Sequence, residues 1–303
     1  MSRTDLAGKK IAITGGARGI GAATARLLAD RGAAVAIGDI DAELAAETAA
    51  QISAATGARV HGLKVDVTDR VSFEQYLDAA ESGLGGLDVL VNNAGIMPTG
   101  EFLDESDTVT DRQLDINVRG VITGSKLAGR RFAGRGRGHI VNIASVAGIS
   151  AAPGVAVYCA SKYAVVGLGA ALHQELAPKG VTVTTIAPSF VNTELIAGLS
   201  PNWFVRQIGF IEPETVAAAI AEAIAGRRGG FRTVPKIGGV FLRALMPLPE
   251  NLRNSIYGAL GLQHVTLNSD ESVRAAYRER TEKPTPAAEP EKQTGTRKTG
   301  TRS

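Results

Sequence analysis

Short runs of aliphatic and β-branched residues alternate with longer helix-period stretches through most of this chain, and that alternation constrains the fold more than anything else in it. "KIAITG" precedes "GIGAATARLLADRG", "AVAIGD" precedes "DAELAAETAAQISAATG", and "VHGLKVDV" precedes "RVSFEQYLDAAESG". "LDVLVNNAG", "GHIVNIAS" and "VTVTTIAP" follow, each bracketed by helix-like sequence, with "FRTVP" as a last strand. Strands spaced by helices of this length join as right-handed βαβ crossovers, which makes the sheet parallel. The strand runs are nearly continuous in apolar residues, as expected when helices cover both faces. The expected fold is α/β, a doubly wound parallel sheet flanked by helices, in one domain over residues 1–237. An apolar extension broken by Pro247 and Pro249 is expected over 238–280, and a Pro/Thr/Lys/Glu-rich disordered tail over 281–303. "EPETVAAAIAEAIAG" reads as a helix with Pro213 in its first turn.

Charge and cysteine content exclude several classes of function. The net charge is +3, and the five basic and two acidic residues between Lys283 and Ser303 account for it. The body is therefore near neutral, so no extended nucleic-acid surface is expected. The one cysteine, Cys159, rules out an internal disulfide framework, and as a helix residue it is expected to be an inert small hydrophobe. His61, His139, His173 and His264 lack ligand spacing, so no metal site is expected. No apolar run reaches the roughly 18 residues a spanning helix needs, and "MSRTDLAGKK" leads into the first strand without an apolar signal region. The expected location is cytoplasmic.

"ITGGARGIGAA" puts Gly15, Gly19 and Gly21 between the first strand and its helix. A backbone that must turn tightly, approach a pyrophosphate and pack on the sheet needs glycine, and the helix N-terminus then offers free N–H groups to the phosphates. Asp39 ends the second strand 20 residues beyond Gly19, the place of the acidic residue that bonds the adenosine ribose of NAD. Its charge would repel a 2′-phosphate, which favours NAD over NADP. Arg18 pulls the other way, because a cation in the loop could accept that phosphate. The alternative for Asp39, a cap on the next helix, is better filled by Asp41.

Together with "TGGARGIG" at 14–21, "NNAG" at 92–95, "INV" around Asn117, "IASVAG" containing Ser145 and "YCASK" at 158–162, the chain resembles the short-chain dehydrogenase/reductase family, a Rossmann-like fold. The motifs match in order over roughly residues 8–195. The resemblance implies that Tyr158 is the general acid/base, with Lys162 one helical turn on to lower its pKa and hold the nicotinamide ribose. It implies that Ser145 polarises the substrate oxygen and that Asn117, in mid-helix, anchors a proton-relaying water. For the cofactor it implies contacts from Gly15, Ala17, Arg18, Gly19, Ile20 and Gly21 in the glycine loop, and from Asp66 and Val67 at the adenine. Asn93, Ala94 and Gly95 would line the adenine ribose side, and Pro188, Val191 and Thr193 the carboxamide. Ser189 stands where that segment usually has glycine.

The same resemblance implies a substrate lid over about 193–211, containing Trp203 and Phe204, and a homodimer or homotetramer. The reaction expected is NAD(H)-dependent interconversion of a lipophilic alcohol and its carbonyl. An NADP(H)-dependent carbonyl reductase is the nearest alternative. A non-catalytic dinucleotide-binding protein or a membrane-associated scaffold is the alternative of another class. The extension is expected to narrow an apolar substrate pocket, with packing on a partner subunit or peripheral membrane contact as its other roles.

Overall fold

A computed structural model describes residues 5–199, 210–259 and 271–282. Strands β1 (Lys10–Thr14), β2 (Ala34–Asp39), β3 (Val60–Lys64), β4 (Val89–Asn92), β5 (Gly138–Ile143), β6 (Val181–Pro188) and the late strand at Gly230–Val234 form one parallel sheet. Its order is β3-β2-β1-β4-β5-β6, with the late strand at the far edge. Helices α1 (Gly19–Asp30), α2 (Ala42–Thr56), α3 (Arg70–Leu84), α4 (Asp107–Leu114), α5 (Val121–Gly134) and α6 (Ala156–Leu176) follow the strands in turn. Phe190–Val191 (β7) and Phe210–Ile211 (β8) pair as a separate ribbon, with the rings of Phe190 and Phe210 stacked at 5.4 Å. Helix α7 (Pro213–Ala225) leads to the late strand, β9, and α8 (Lys236–Leu245), α9 (Glu250–Ala259) and α10 (Glu271–Glu282) complete the described chain.

Alternate residues of each strand feed different cores, because side chains of a strand point to opposite faces. Ile11, Ile13, Val35, Ile37, Val89 and Val91 pack with Leu28 of α1, Ile52 of α2 and Ile220 of α7. Ala12, Ala36, Leu90 and Ile140 pack with Phe73 and Leu77 of α3 and with Leu127 and Phe132 of α5. Burial on both faces is why the strand runs carry so few polar residues. Helix ends follow their local signals: Asp41 accepts the Leu44 N–H at the start of α2 (3.1 Å), and Gly57 ends that helix at φ +71°.

Strand order reverses between β2-β1 and β4-β5, so the carboxyl ends of β1 and β4 open a crevice there. The Thr14 hydroxyl accepts the N–H groups of Asn93 (3.1 Å) and Ala94 (3.2 Å), tying the two strand ends together. One strand further on, Asn92 Nδ2 donates to Asn142 Oδ1 (2.9 Å) and Ser125 Oγ (3.2 Å), which fixes β4 against β5 and α5.

Asn117 lies in mid-helix, within a six-residue π turn, Asp115–Gly120, that continues α4 into α5. Its carboxamide accepts the Ile96 N–H and donates to the Ile96 carbonyl, both at 2.9 Å, and this cross-link holds the widened turn. The extension is not apolar throughout: α8 and α9 flank the proline pair, but α10 reads "ESVRAAYRERTE" and runs across the 280/281 boundary assigned to the tail. The remainder of the tail, Trp203, Phe204 and most of the lid lie outside the described residues. Among the described residues, no helix is long and apolar enough to cross a membrane.

Candidate active site

A cavity of about 850 Å³ occupies the crevice at the strand reversal, a volume suited to a dinucleotide-sized ligand. Its floor is the glycine loop. Gly15 and Gly19 have φ of +62° and +50°, which side-chain-bearing residues seldom adopt. A Cβ on Gly15 would fall 2.8 Å from Ala94 Cα, and one on Gly21 would overlap the Gly15 carbonyl oxygen. The loop is thus packed to the limit against β1 and β4, with the α1 N-terminus at Gly19 and Ile20 on the cavity wall. Those features fit a pyrophosphate.

Of the residues named from sequence, Gly15, Arg18, Gly19, Ile20, Asp39, Asp66, Val67, Asn93, Ala94, Gly95 and Thr193 line this cavity. Ala17, Gly21, Pro188 and Val191 do not, and neither do Asn117, Ser145, Tyr158 and Lys162. Asp39 Oδ2 accepts the Ala17 N–H (3.2 Å) and Oδ1 the Asp41 N–H (3.3 Å). Burial raises the Asp39 pKa, with these two N–H groups and Arg18 acting against that rise. Arg18 donates to Asp41 at 2.7 Å and has Glu194 4.0 Å away, so its charge is already shared between acids.

Ser145, Tyr158 and Lys162 come together beyond Gly95 and do not themselves line the cavity. Ser145 follows β5 in extended backbone (φ −164°), and its Oγ accepts the Ala147 N–H at 3.1 Å. Tyr158 and Lys162 stand one turn apart on α6, with the Ser145 side chain near the Tyr158 phenol. The Tyr158 ring packs with Met97, Val155, Cys159 and Ile196. That burial pushes its pKa up, and the Ser145 hydroxyl opposes the rise. Lys162 Nζ donates to the Ile143 carbonyl at 3.1 Å and lies 5.5 Å from the centre of the Tyr158 ring. Burial pulls the Lys162 pKa down to about 8. Asn117 reaches the same centre through Ser161: its Nδ2 donates to Ser161 Oγ (3.1 Å), which donates to the Tyr158 carbonyl (2.7 Å). Gly95 keeps the approach open, since a Cβ there would sit 3.4 Å from Lys162 Nζ and 3.2 Å from Asn117 Oδ1. A phenol, a hydroxyl and an ammonium in a dry pocket can exchange a proton with a ligand oxygen. Cys159 is buried with its thiol pKa raised, in keeping with an inert side chain.

Sequence reasoning missed part of the wall. Thr108, Asp111 and Arg112 of α4 line the cavity, as do Leu195 and, from α10, Tyr277. The α4 residues sit in a polar helix with no motif around them, and Tyr277 lies in a charged segment near the end of the chain.

The short chain dehydrogenase family profile matches residues 9–202. A 2,5-dichloro-2,5-cyclohexadiene-1,4-diol dehydrogenase of Sphingobium indicum is 39% identical over 202 residues, 67% of this chain and 80% of that protein. An L-2,3-butanediol dehydrogenase of Corynebacterium glutamicum is 42% identical over 184 residues, 60% of this chain and 71% of its own. Among solved structures, a short chain dehydrogenase from Burkholderia cenocepacia in complex with NADP superposes with a TM-score of 0.67 at 33% identity. It covers 77% of this chain and 97% of that one. The glycine cradle at the strand reversal and these likenesses lead to one conclusion: the chain belongs to the short-chain dehydrogenase/reductase family, and it is an NAD(P)-dependent oxidoreductase.

Proposed function

We propose that the protein interconverts a secondary or primary alcohol and its carbonyl with NAD(H), using Tyr158 as the general acid/base. The observation that carries this reading is the buried Tyr158 phenol beside the Ser145 hydroxyl, with Lys162 one turn away on the same helix and its Nζ 5.5 Å from the ring centre. The bound nicotinamide supplies hydride chemistry at the substrate's carbinol carbon. Ser145 orients the substrate oxygen toward the phenol. Tyr158 gives that oxygen its proton in reduction and takes it in oxidation. Lys162, as an ammonium, stabilises the phenolate formed when Tyr158 gives up its proton. The apolar side chains around the ring exclude water and strengthen each of these dipoles, and they favour a substrate with an apolar flank.

Preference for NAD rests on Asp39 and Asp41. Both line the cavity on the ribose side, and Arg18 is already paired with Asp41, so a 2′-phosphate would meet two carboxylates. Asp39→Ser should shift the ratio of kcat/KM for NAD over that for NADP toward NADP by about ten- to a hundredfold, equivalent to removing one close repulsion. Wild-type protein that prefers NADP would refute the assignment.

A pH dependence follows from Lys162. At neutral pH the raised Tyr158 pKa keeps the phenol protonated, and Lys162, with its pKa near 8, still carries most of its charge. As pH rises through about 8, Lys162 loses its proton first and the developing phenolate loses its partner. The kcat/KM for carbonyl reduction should therefore be level below that point and fall by up to about tenfold per unit above it. A profile that stays level through pH 8 to 9 counts against this role for Lys162.

A further inference from the structure

We infer that α10 is the substrate-side wall of the active site, that its Tyr277 sets the size of substrate admitted, and that Arg274 is the positioning residue that holds Tyr277 there. The inference extends the alcohol/carbonyl reading above and rests on it for the identity of the reacting centre. Nothing in the family match reaches this helix, since that match ends at residue 202.

Arg274 is only 1% exposed. Burying a guanidinium costs several kcal/mol unless its donors are met, and here both terminal nitrogens are met by backbone carbonyls from two separate segments. Nη2 donates to Met97 (2.8 Å), and Nη1 donates to Leu195 (3.2 Å) and Ala197 (3.1 Å). Met97 follows the Asn93–Gly95 segment on one side of the crevice, and Leu195 and Ala197 follow Thr193 on the other. One side chain therefore ties the two sides of the cleft together. Arg278, one turn on, donates to the Thr99 carbonyl at 3.2 Å, which adds a second tie on the Met97 side.

Tyr277 is placed by the same bonds. It shares a helix face with Arg274 and Arg278, its ring lies 5.1 Å from the Arg274 guanidinium carbon, and its hydroxyl accepts the Met97 N–H at 2.8 Å. The ring lines the cavity beside Ile96 and Leu195, and its phenol is near enough to Tyr158 to oppose ionisation there. Met97, Leu195 and Ile196 pack around Tyr158, and Tyr277 reaches the same group through the Met97 N–H and beside Leu195 on the cavity wall. A ring so anchored cannot swing aside without breaking the Met97 bond. The space it leaves beside Tyr158 accordingly suits compact alcohols, such as short-chain diols or a single six-membered ring, and rejects fused rings.

The test is a size series on the full-length protein: butane-2,3-diol, cyclohexanol and 1-tetralol, with NAD, for wild type, Tyr277→Phe, Tyr277→Ala and Arg274→Met. Removing the ring should raise the 1-tetralol to butane-2,3-diol ratio of kcat/KM by about ten- to a hundredfold, the range that pocket-size differences produce. Tyr277→Phe keeps the ring but loses the Met97 bond, so its ratio should fall between those of wild type and Tyr277→Ala. Arg274→Met should relax the ratio toward that of Tyr277→Ala. An unchanged ratio in Tyr277→Ala protein that binds NAD normally overturns the inference. Tyr277→Leu replaces the alanine variant if the latter fails to fold, with the same ratio deciding. If no alcohol turns over in any protein, the reaction reading fails, and calorimetric dissociation constants of the three alcohols with the NAD-bound proteins decide the inference. Selective tightening of 1-tetralol in Tyr277→Ala supports it; equal binding, or none, overturns it.

Discussion

Tyr158→Phe should lower kcat by about a hundred- to ten-thousandfold, the usual worth of a positioned general acid/base, while the dissociation constant for NAD changes by less than about twofold. The ring packs with Met97, Val155 and Ile196, and phenylalanine preserves that contact while removing only the proton carrier. Neither Lys162 nor Ser145 can substitute for it. Lys162 Nζ is turned to the Ile143 carbonyl, and Ser145, with the ordinary acidity of an alcohol, is too weak an acid to replace a phenol. Paired measurements of turnover and of NAD binding separate loss of chemistry from loss of fold. A variant that keeps more than about a tenth of wild-type kcat would remove Tyr158 from the mechanism.

Gly21→Ala should weaken NAD binding by about ten- to a hundredfold and cost about 1–3 kcal/mol of stability, the usual range for overpacking. The added Cβ would overlap the Gly15 carbonyl oxygen and stand 2.8 Å from Asn93 Nδ2. That amide itself donates to the carbonyls of Gly15 (2.8 Å) and Thr14 (3.0 Å). The methyl group cannot be absorbed by a flexible side chain, so the loop that cradles the pyrophosphate must move. Gly134→Ala is the matched control, because a Cβ there meets nothing within 4 Å. Equilibrium binding of NADH and urea unfolding read the two effects, and wild-type affinity in Gly21→Ala would contradict the close packing.

The sheet was legible because its signal is local. The central strands are buried on both faces, so runs such as "KIAIT" and "AVAIGD" stand out, and all seven expected runs are strands of one parallel sheet. Asp41 as the α2 cap was legible for the same reason, its partner being Leu44 three residues on. The motif residues at the cavity were legible through their order along the chain. Features set by distant contacts were not. The π turn at Asn117 depends on bonds to Ile96, 21 residues earlier, and helical periodicity cannot distinguish it from an ordinary turn. Helix α10 attaches through bonds between residues 77 to 180 positions apart, to backbone groups that every residue possesses. A charged segment holding one tyrosine gives no sign of them. Lys162 lies 5.5 Å from the Tyr158 ring centre and donates to the Ile143 carbonyl, a bond 19 residues back that the four-residue spacing does not reveal.

The central claim is that this chain oxidises and reduces alcohols and carbonyls with NAD through the Tyr158 centre. Its most direct test follows reduced-nicotinamide absorbance when wild-type protein and NAD are mixed with butane-2,3-diol or cyclohexanol. The account predicts alcohol-dependent formation of NADH. Absence of any cofactor reduction across a broad panel of primary and secondary alcohols, with NAD or NADP, in protein shown to bind NAD, would contradict it.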